Sequence, residues 1–117
     1  MDSTTLKLRT KKFALDVIEL IKSDSAHFVS AILYKQLVRS STSIGANYRA
    51  ACRAKSKNDF IYKIGIVEEE ADESLYWLEL ITESNLLPIS ITEQLIKEAN
   101  ELTAIFSAIR KSSRTND

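Results

Sequence analysis

Three stretches carry residue types that could do chemistry. Glu68-Glu69-Glu70-Ala71-Asp72-Glu73 places five carboxylates in six positions. Carboxylates on helices are the donors of di-metal bundles, but those centres also need inward Glu-x-x-His pairs. The chain has one histidine, His27, and it falls between helical patterns; the inward position of the acidic run is Ala71. Paired carboxylates could cleave a glycoside, yet any solvated helix face offers such pairs. Cys52, the single cysteine, has no histidine near it in sequence, and reads as a small half-buried thiol rather than a nucleophile. A Ser-His-acid triad would have to use His27, and nothing selects it. The third stretch, Ser40-Ser-Thr-Ser-Ile-Gly-Ala-Asn-Tyr-Arg49, lacks the glycine spacing of a phosphate-binding loop. No enzyme, metal or cofactor is expected.

The charges are more informative than the nucleophiles. The chain is neutral overall, but residues 1–63 carry 12 Lys/Arg against 5 Asp/Glu, and residues 64–117 carry 4 against 11. From Val29 to Arg53 there is no acidic residue. On a helix, Lys35, Arg39, Arg49 and Arg53 fall within about 40° of one line, with Thr42 and Ala46 between them. Lys55 and Lys57 extend the basic character past the helix end. A solvated face is the usual fate of charges, but such faces usually mix signs. The stripe is therefore a candidate for binding nucleic acid, or for a charged contact between subunits.

A second face invites a partner. With Phe60 to Ile81 as the core seam of a helix, Tyr62, Ile66, Glu69, Glu73, Tyr76 and Leu80 collect on the far side, with Trp77 nearby. Aromatic and apolar groups interleaved with carboxylates suit an interface better than water. If the basic stripe of one copy meets Glu69 and Glu73 of the next, the contact is head-to-tail, and repeated it closes a ring.

These faces need long helices to position them. Two Gly and one Pro in 117 residues leave few turns. Apolar and small residues recur in steps of three and four: Leu6, Thr10, Phe13, Val17, Leu20; Leu33, Leu37, Ser40, Ile44, Asn47, Ala51; Phe60, Ile64, Val67, Ala71, Ser74, Leu78, Ile81; Leu95, Ala99, Leu102, Phe106, Ile109. Each series is one helix face. The pattern predicts an all-α, antiparallel up-down four-helix bundle in one domain, with helices over roughly 4–22, 28–54, 57–84 and 91–112. The serine-rich stretch then lies inside the second helix, where small side chains admit a close neighbour. Asn47 on the seam must find a buried partner. Ser56 is the expected cap of the third helix, and Ser90-Ile91-Thr92-Glu93 reads as a capping box for the fourth. The tail from Arg110 is expected to fray. No long apolar run suggests a membrane span or an export signal, so a reducing cytoplasm is expected.

The stretch from Lys35 to about Leu87 resembles the 23S rRNA intervening-sequence protein family. The resemblance rests on Gln36-Leu37-x-Arg39-Ser40, on "TSIGANYRAACRAKSKNDFI" and on "EADESLYWLELI"; "FALDVIELI" fits the first helix more loosely. It implies an antiparallel four-helix bundle, assembly into a homopentameric ring, and no catalytic residues. Family members take their name from genes within intervening sequences of bacterial large-subunit rRNA genes. A related protein, the accessory variability determinant of diversity-generating retroelements, is a basic ring that works with nucleic acid and a reverse transcriptase. RNA is accordingly the expected partner beside the chain itself. One departure is the balance of charge: the sequence pI is about 6.6, so any nucleic-acid contact must be local.

Overall fold

The computed structural model describes residues 1–115 and contains four helices: α1 (Ser3–Lys22), α2 (Phe28–Ala51), α3 (Lys57–Glu83) and α4 (Ile89–Thr115). Among the described residues there is no strand. The first three helices begin where a side chain can satisfy their unpaired N–H groups. Asp2 Oδ1 accepts from Thr5 N at 2.8 Å. His27 and Ser30 cap α2 reciprocally: Ser30 Oγ accepts from His27 N at 2.8 Å, and His27 Nδ1 accepts from Ser30 N at 3.5 Å. Ser56 Oγ accepts from Asp59 N at 3.1 Å, as the sequence predicts.

The fourth helix departs from expectation at both ends. It starts at Ile89, with the Pro88 carbonyl accepting from Ile91 N at 3.1 Å and Thr92 N at 3.3 Å. Ser90 is therefore inside the first turn rather than at the cap. The far end continues to Thr115 instead of fraying at Arg110. The expected tail's last residues, Asn116 and Asp117, lie outside the described residues.

The turn after α3 carries the chain's special backbone. Asn85 has φ 64°, the left-handed region that suits Gly or Asn. Asn85 N donates to Thr82 O at 3.0 Å and Leu86 N to Ile81 O at 3.1 Å, the paired bonds that close a helix after a left-handed residue. Asn85→Ala should cost about 1 kcal/mol, because a Cβ without a local polar group is disfavoured there. Asn85→Gly should be neutral or slightly stabilising. Urea melts of both variants check this: an Ala variant as stable as the parent would show that the turn does not limit stability.

Packing follows the predicted seams, with two exchanges on α2 and with Leu20, Phe60 and Ile109 only half-buried against the core. Leu6, Thr10, Phe13 and Val17 of α1 are buried, as are Ile64, Val67, Ala71, Ser74, Leu78 and Ile81 of α3. On α2 the buried positions include Tyr34 and Tyr48 in place of Leu33 and Asn47, which are half-buried. Tyrosine can bury its ring when its hydroxyl finds a partner. Tyr34 OH donates to Asp24 at 2.6 Å, and Tyr48 lies against Phe106 with ring centroids 5.3 Å apart. Asn47 answers its polar requirement locally, donating from Nδ2 to Ser43 O at 2.9 Å.

Every helix packs on its two neighbours in a closed square: α1 on α2, α2 on α3, α3 on α4 and α4 on α1. Small hydroxyl residues set the register inside. Ser40 and Ser74 share a hydrogen bond of 2.8 Å, and Thr82 and Thr92 another of 2.8 Å. Where α1 meets α2, a Cβ on Gly45 would stand 3.2 Å from Thr10 Oγ1. The serine-rich stretch is thus a close-packing segment of α2, not a ligand loop. Ion pairs lace the outside: Arg9 grips Glu98 through Nε and Nη2 at 2.6 and 2.7 Å, and Arg110 Nε meets Glu68 at 2.6 Å.

Candidate nucleic-acid interface

The basic stripe of α2 is real as a row of exposed residues, but it is not a single surface. Lys35, Arg39, Arg49 and Arg53 are all exposed. Arg39, however, turns onto α3 of its own chain, with Nη1 at 3.1 Å from Glu70 and Nη2 at 2.6 Å from Glu73. Glu73, expected to accept from a neighbouring subunit, thus has a partner within its own chain. The reason is register: Ser40 bonds Ser74 in the core, which brings position 39 level with positions 70 and 73 on the surface. Arg39 thereby separates Lys35 from the other cations.

Two cations remain together beyond it. Arg49 and Arg53 are exposed and make no ion pair among the described residues. They sit one turn apart at the end of α2, where cations also suit the helix macrodipole. Lys55 follows, its side chain exposed and its backbone N donating to Asp59 Oδ2 at 3.1 Å. Lys57 opens α3 and is exposed. Asp59 also pairs with Lys63 at 2.9 Å. At the end of α2, Arg49 and Arg53 therefore present positive charge that no ion pair among the described residues offsets, while Lys55 shares Asp59 with Lys63.

The outer face of α3 carries the other candidate residues. Tyr62 is 69% exposed and Tyr76 is 52% exposed, while Ile66 and Leu80 are half-buried. Tyr76 stands edge-on to Trp77 with centroids 5.2 Å apart. The Trp77 indole N–H is shielded from water and meets no hydrogen-bond acceptor. It lies close enough to Glu73 to favour that carboxylate's charge, but outside hydrogen-bonding geometry. Glu69 is exposed and unpaired among the described residues. Beside it, an open groove of about 760 Å³ runs between α3 and α4, lined by Tyr62, Gly65, Ile66, Glu69 and Asp72 and closed by Arg110.

The remaining chemistry is structural. His27 caps a helix, and Cys52 is half-buried beside Tyr48. Among the described residues no group of three His, Cys, Asp or Glu side chains could hold a metal ion. None of the described helices is long and apolar enough to cross a membrane. The interhelical pairs of Arg9 and Arg110 escaped the sequence reading, because their partners lie 89 and 42 residues away. The acidic run instead anchors Arg110 through Glu68 and Arg39 through Glu70 and Glu73.

Those ion pairs tie stability to pH. Arg110 holds the Glu68 carboxylate below its usual range, and Arg39 does the same for Glu73. Burial pushes Glu70 the other way. A carboxylate depressed in the folded state stabilises the fold above its ordinary value, and that contribution is lost as it protonates. Melting temperature should therefore hold from neutrality to about pH 5 and fall as acid titrates Glu68 and Glu73. Glu70 opposes the trend and blunts it. A thermal-melt series against pH checks the direction, and Glu68→Gln should flatten the acid limb. An unchanged limb in that variant would remove Glu68 as a cause.

Comparison with known proteins places this arrangement in a family. Residues 5–108 match the family described as 23S rRNA-intervening sequence protein. A crystal structure of a protein of unknown function from the S23 ribosomal protein family of Bacteroides thetaiotaomicron is similar, at 35% identity and a TM-score of 0.81. The match covers 90% of this chain and 97% of that one. No curated protein matches the sequence. The square of four helices, the match across most of the chain and the structural likeness agree: the chain belongs to the 23S rRNA-intervening sequence protein family.

Proposed function

We propose that this chain is a non-enzymatic, RNA-associated bundle of the cytoplasm. Its anion-binding surface is the end of α2, Arg49 and Arg53, with the turn at Lys55 and Lys57. The observation that carries this reading is the pair of exposed arginines with no carboxylate bound to them among the described residues, beside a third arginine, Arg39, that is engaged. Guanidinium groups left to solvent on one face suit phosphate oxygens, which they bind by paired hydrogen bonds.

The four helices are read as an antiparallel up-down bundle. Contacts between neighbours support this: Thr82 meets Thr92 while Glu68 meets Arg110, so numbering rises along α3 as it falls along α4. The bundle is also read as one subunit of a homopentameric ring joined through the outer face of α3. Exposed Tyr62 and Tyr76 beside half-buried Ile66, Trp77 and Leu80 support that contact. A ring would multiply a weak phosphate contact into useful avidity.

A salt titration of binding to a structured rRNA fragment, on the intact assembly, tests the reading. Binding that weakens steeply with salt is expected, because phosphate contacts release counterions. No binding at low salt overturns it. The second reading is a protein-interaction scaffold, in which free Arg49 and Arg53 pair with Glu69 of a neighbouring subunit. Exposed, unpaired Glu69 favours it.

A further inference from the structure

Helix α1 carries charges that its own stability does not explain. Residues 3–12 hold Lys7, Arg9, Lys11 and Lys12 and no carboxylate. Cations in the first part of a helix gain nothing from the macrodipole, whose positive end lies there. Two of the four have partners: Arg9 binds Glu98 and Glu101, and Lys12 binds Asp16 at 2.7 Å. Lys7 and Lys11 are exposed and make no ion pair among the described residues.

Their direction follows from the neighbours. Helix α1 touches α2 and α4 alone, and Arg9 reaches α4. At about 100° per residue, Lys7 and Lys11 both leave the helix roughly 160° from Arg9. Measured from Thr10, which faces Gly45 of α2, Lys7 is turned about 60° and Lys11 about 100° around the axis, so Lys7 flanks α2 and Lys11 stands just outside it, on the side away from α4. Thr10 against Gly45, and Asp24 against Tyr34, fix the opposite running of the two helices. Lys7 lies about one turn before Thr10, and Arg49 about one turn after Gly45 and roughly 40° from it around the axis. Lys7 and Arg49 thus leave the bundle at one level, on the two lips of the α1–α2 crevice. Ala14 and Gly45 give that crevice a floor of small residues, and neither raises a long side chain across it.

We propose that this crevice holds the sugar–phosphate backbone of a nucleic acid, with Lys7 and Lys11 on one lip and Arg49 and Arg53 on the other. It rests on the proposed RNA association and adds a second helix to the site. The charged groups on the lips are all cations, and the floor residues Ala14 and Gly45 carry no group that reads a base edge. Recognition is therefore of backbone, and indifferent to sequence.

The test is the double variant Lys7→Glu/Lys11→Glu, assayed by fluorescence anisotropy with a labelled hairpin RNA from about 50 to 200 mM salt. Affinity should fall about tenfold or more, and the slope of log affinity against log salt should flatten by about 1.5–2. The melting temperature should hold, since acidic residues suit the first half of a helix. Lys22→Glu, at the other end of α1, should change affinity less than twofold. Should the double Glu variant fail to fold, Lys7→Gln/Lys11→Gln should give the same loss in smaller measure. Wild-type affinity in the α1 variants, alongside loss in Arg49→Glu/Arg53→Glu, overturns the crevice but leaves the α2 reading standing. An equal loss with Lys22→Glu also overturns it, because binding would then follow net charge. A wild-type protein that binds no RNA overturns both.

Discussion

Phe106→Ala is expected to destabilise the bundle by about 3–5 kcal/mol, the range for deleting a fully buried aromatic ring. Phe106 is completely buried, and its ring tilts at 53° against Tyr48 across the core. Its removal loses the burial of the ring and the aromatic contact that crosses the bundle from α4 to Tyr48 on α2. Neighbours cannot easily fill the space, because Leu102 and Ile44 are already buried to completion. The melting temperature should drop by on the order of 10–25 °C for a chain of this size. Circular dichroism melts measure it directly. A drop below about 5 °C would mean that Tyr48 collapses into the vacated volume and that the core is less tightly specified than its burial implies.

Arg49→Glu/Arg53→Glu carries the largest expected functional effect. Both side chains are exposed and make no ion pair among the described residues, so their reversal breaks none there, and folding should be nearly unchanged. If they bind phosphates, the variant loses two attractions and gains two repulsions. Affinity for structured RNA should fall about 10- to 100-fold at moderate salt, with a slope flatter by about 1.5–2. The scaffold reading gives a different outcome, since reversal would face Glu69 of a neighbour with new carboxylates. The assembly would then dissociate, and light scattering would report a smaller mass. RNA affinity lost with the mass unchanged supports the RNA reading. Mass lost in the absence of any RNA supports the scaffold.

How much of this was legible depended on distance along the chain. The α3 seam from Ile64 to Ile81 is buried as its spacing predicts, because periodicity is a local property. The Ser56 cap was legible for the same reason. At α4 the chain offered two competing local signals, Pro88 and the Ser90 box, and the helix begins at the earlier one. Tyr34 and Tyr48 were missed because a tyrosine buries only if its hydroxyl or ring finds a partner, and Asp24 and Phe106 lie 10 and 58 positions away. The division of the basic stripe was not legible at all. Whether Arg39 meets solvent or Glu73 depends on how α2 and α3 slide past each other, and a pair of buried serines sets that slide. Lys7 and Lys11 gave a local signal, cations without carboxylates at a helix start, but only the direction of Arg9 gives it an orientation.

Trp77 gives the molecule its own optical reporter. It is the chain's one tryptophan, half-buried on α3 beside Tyr76, with an indole N–H that bonds to nothing. Selective excitation therefore reads a single site, on the face proposed for subunit contact and away from the α1–α2 crevice. Assembly through α3 should move its emission to shorter wavelength as concentration rises. Phosphate binding between Lys7 and Arg49 should leave that emission still. One spectrum, recorded without any label, separates the two events.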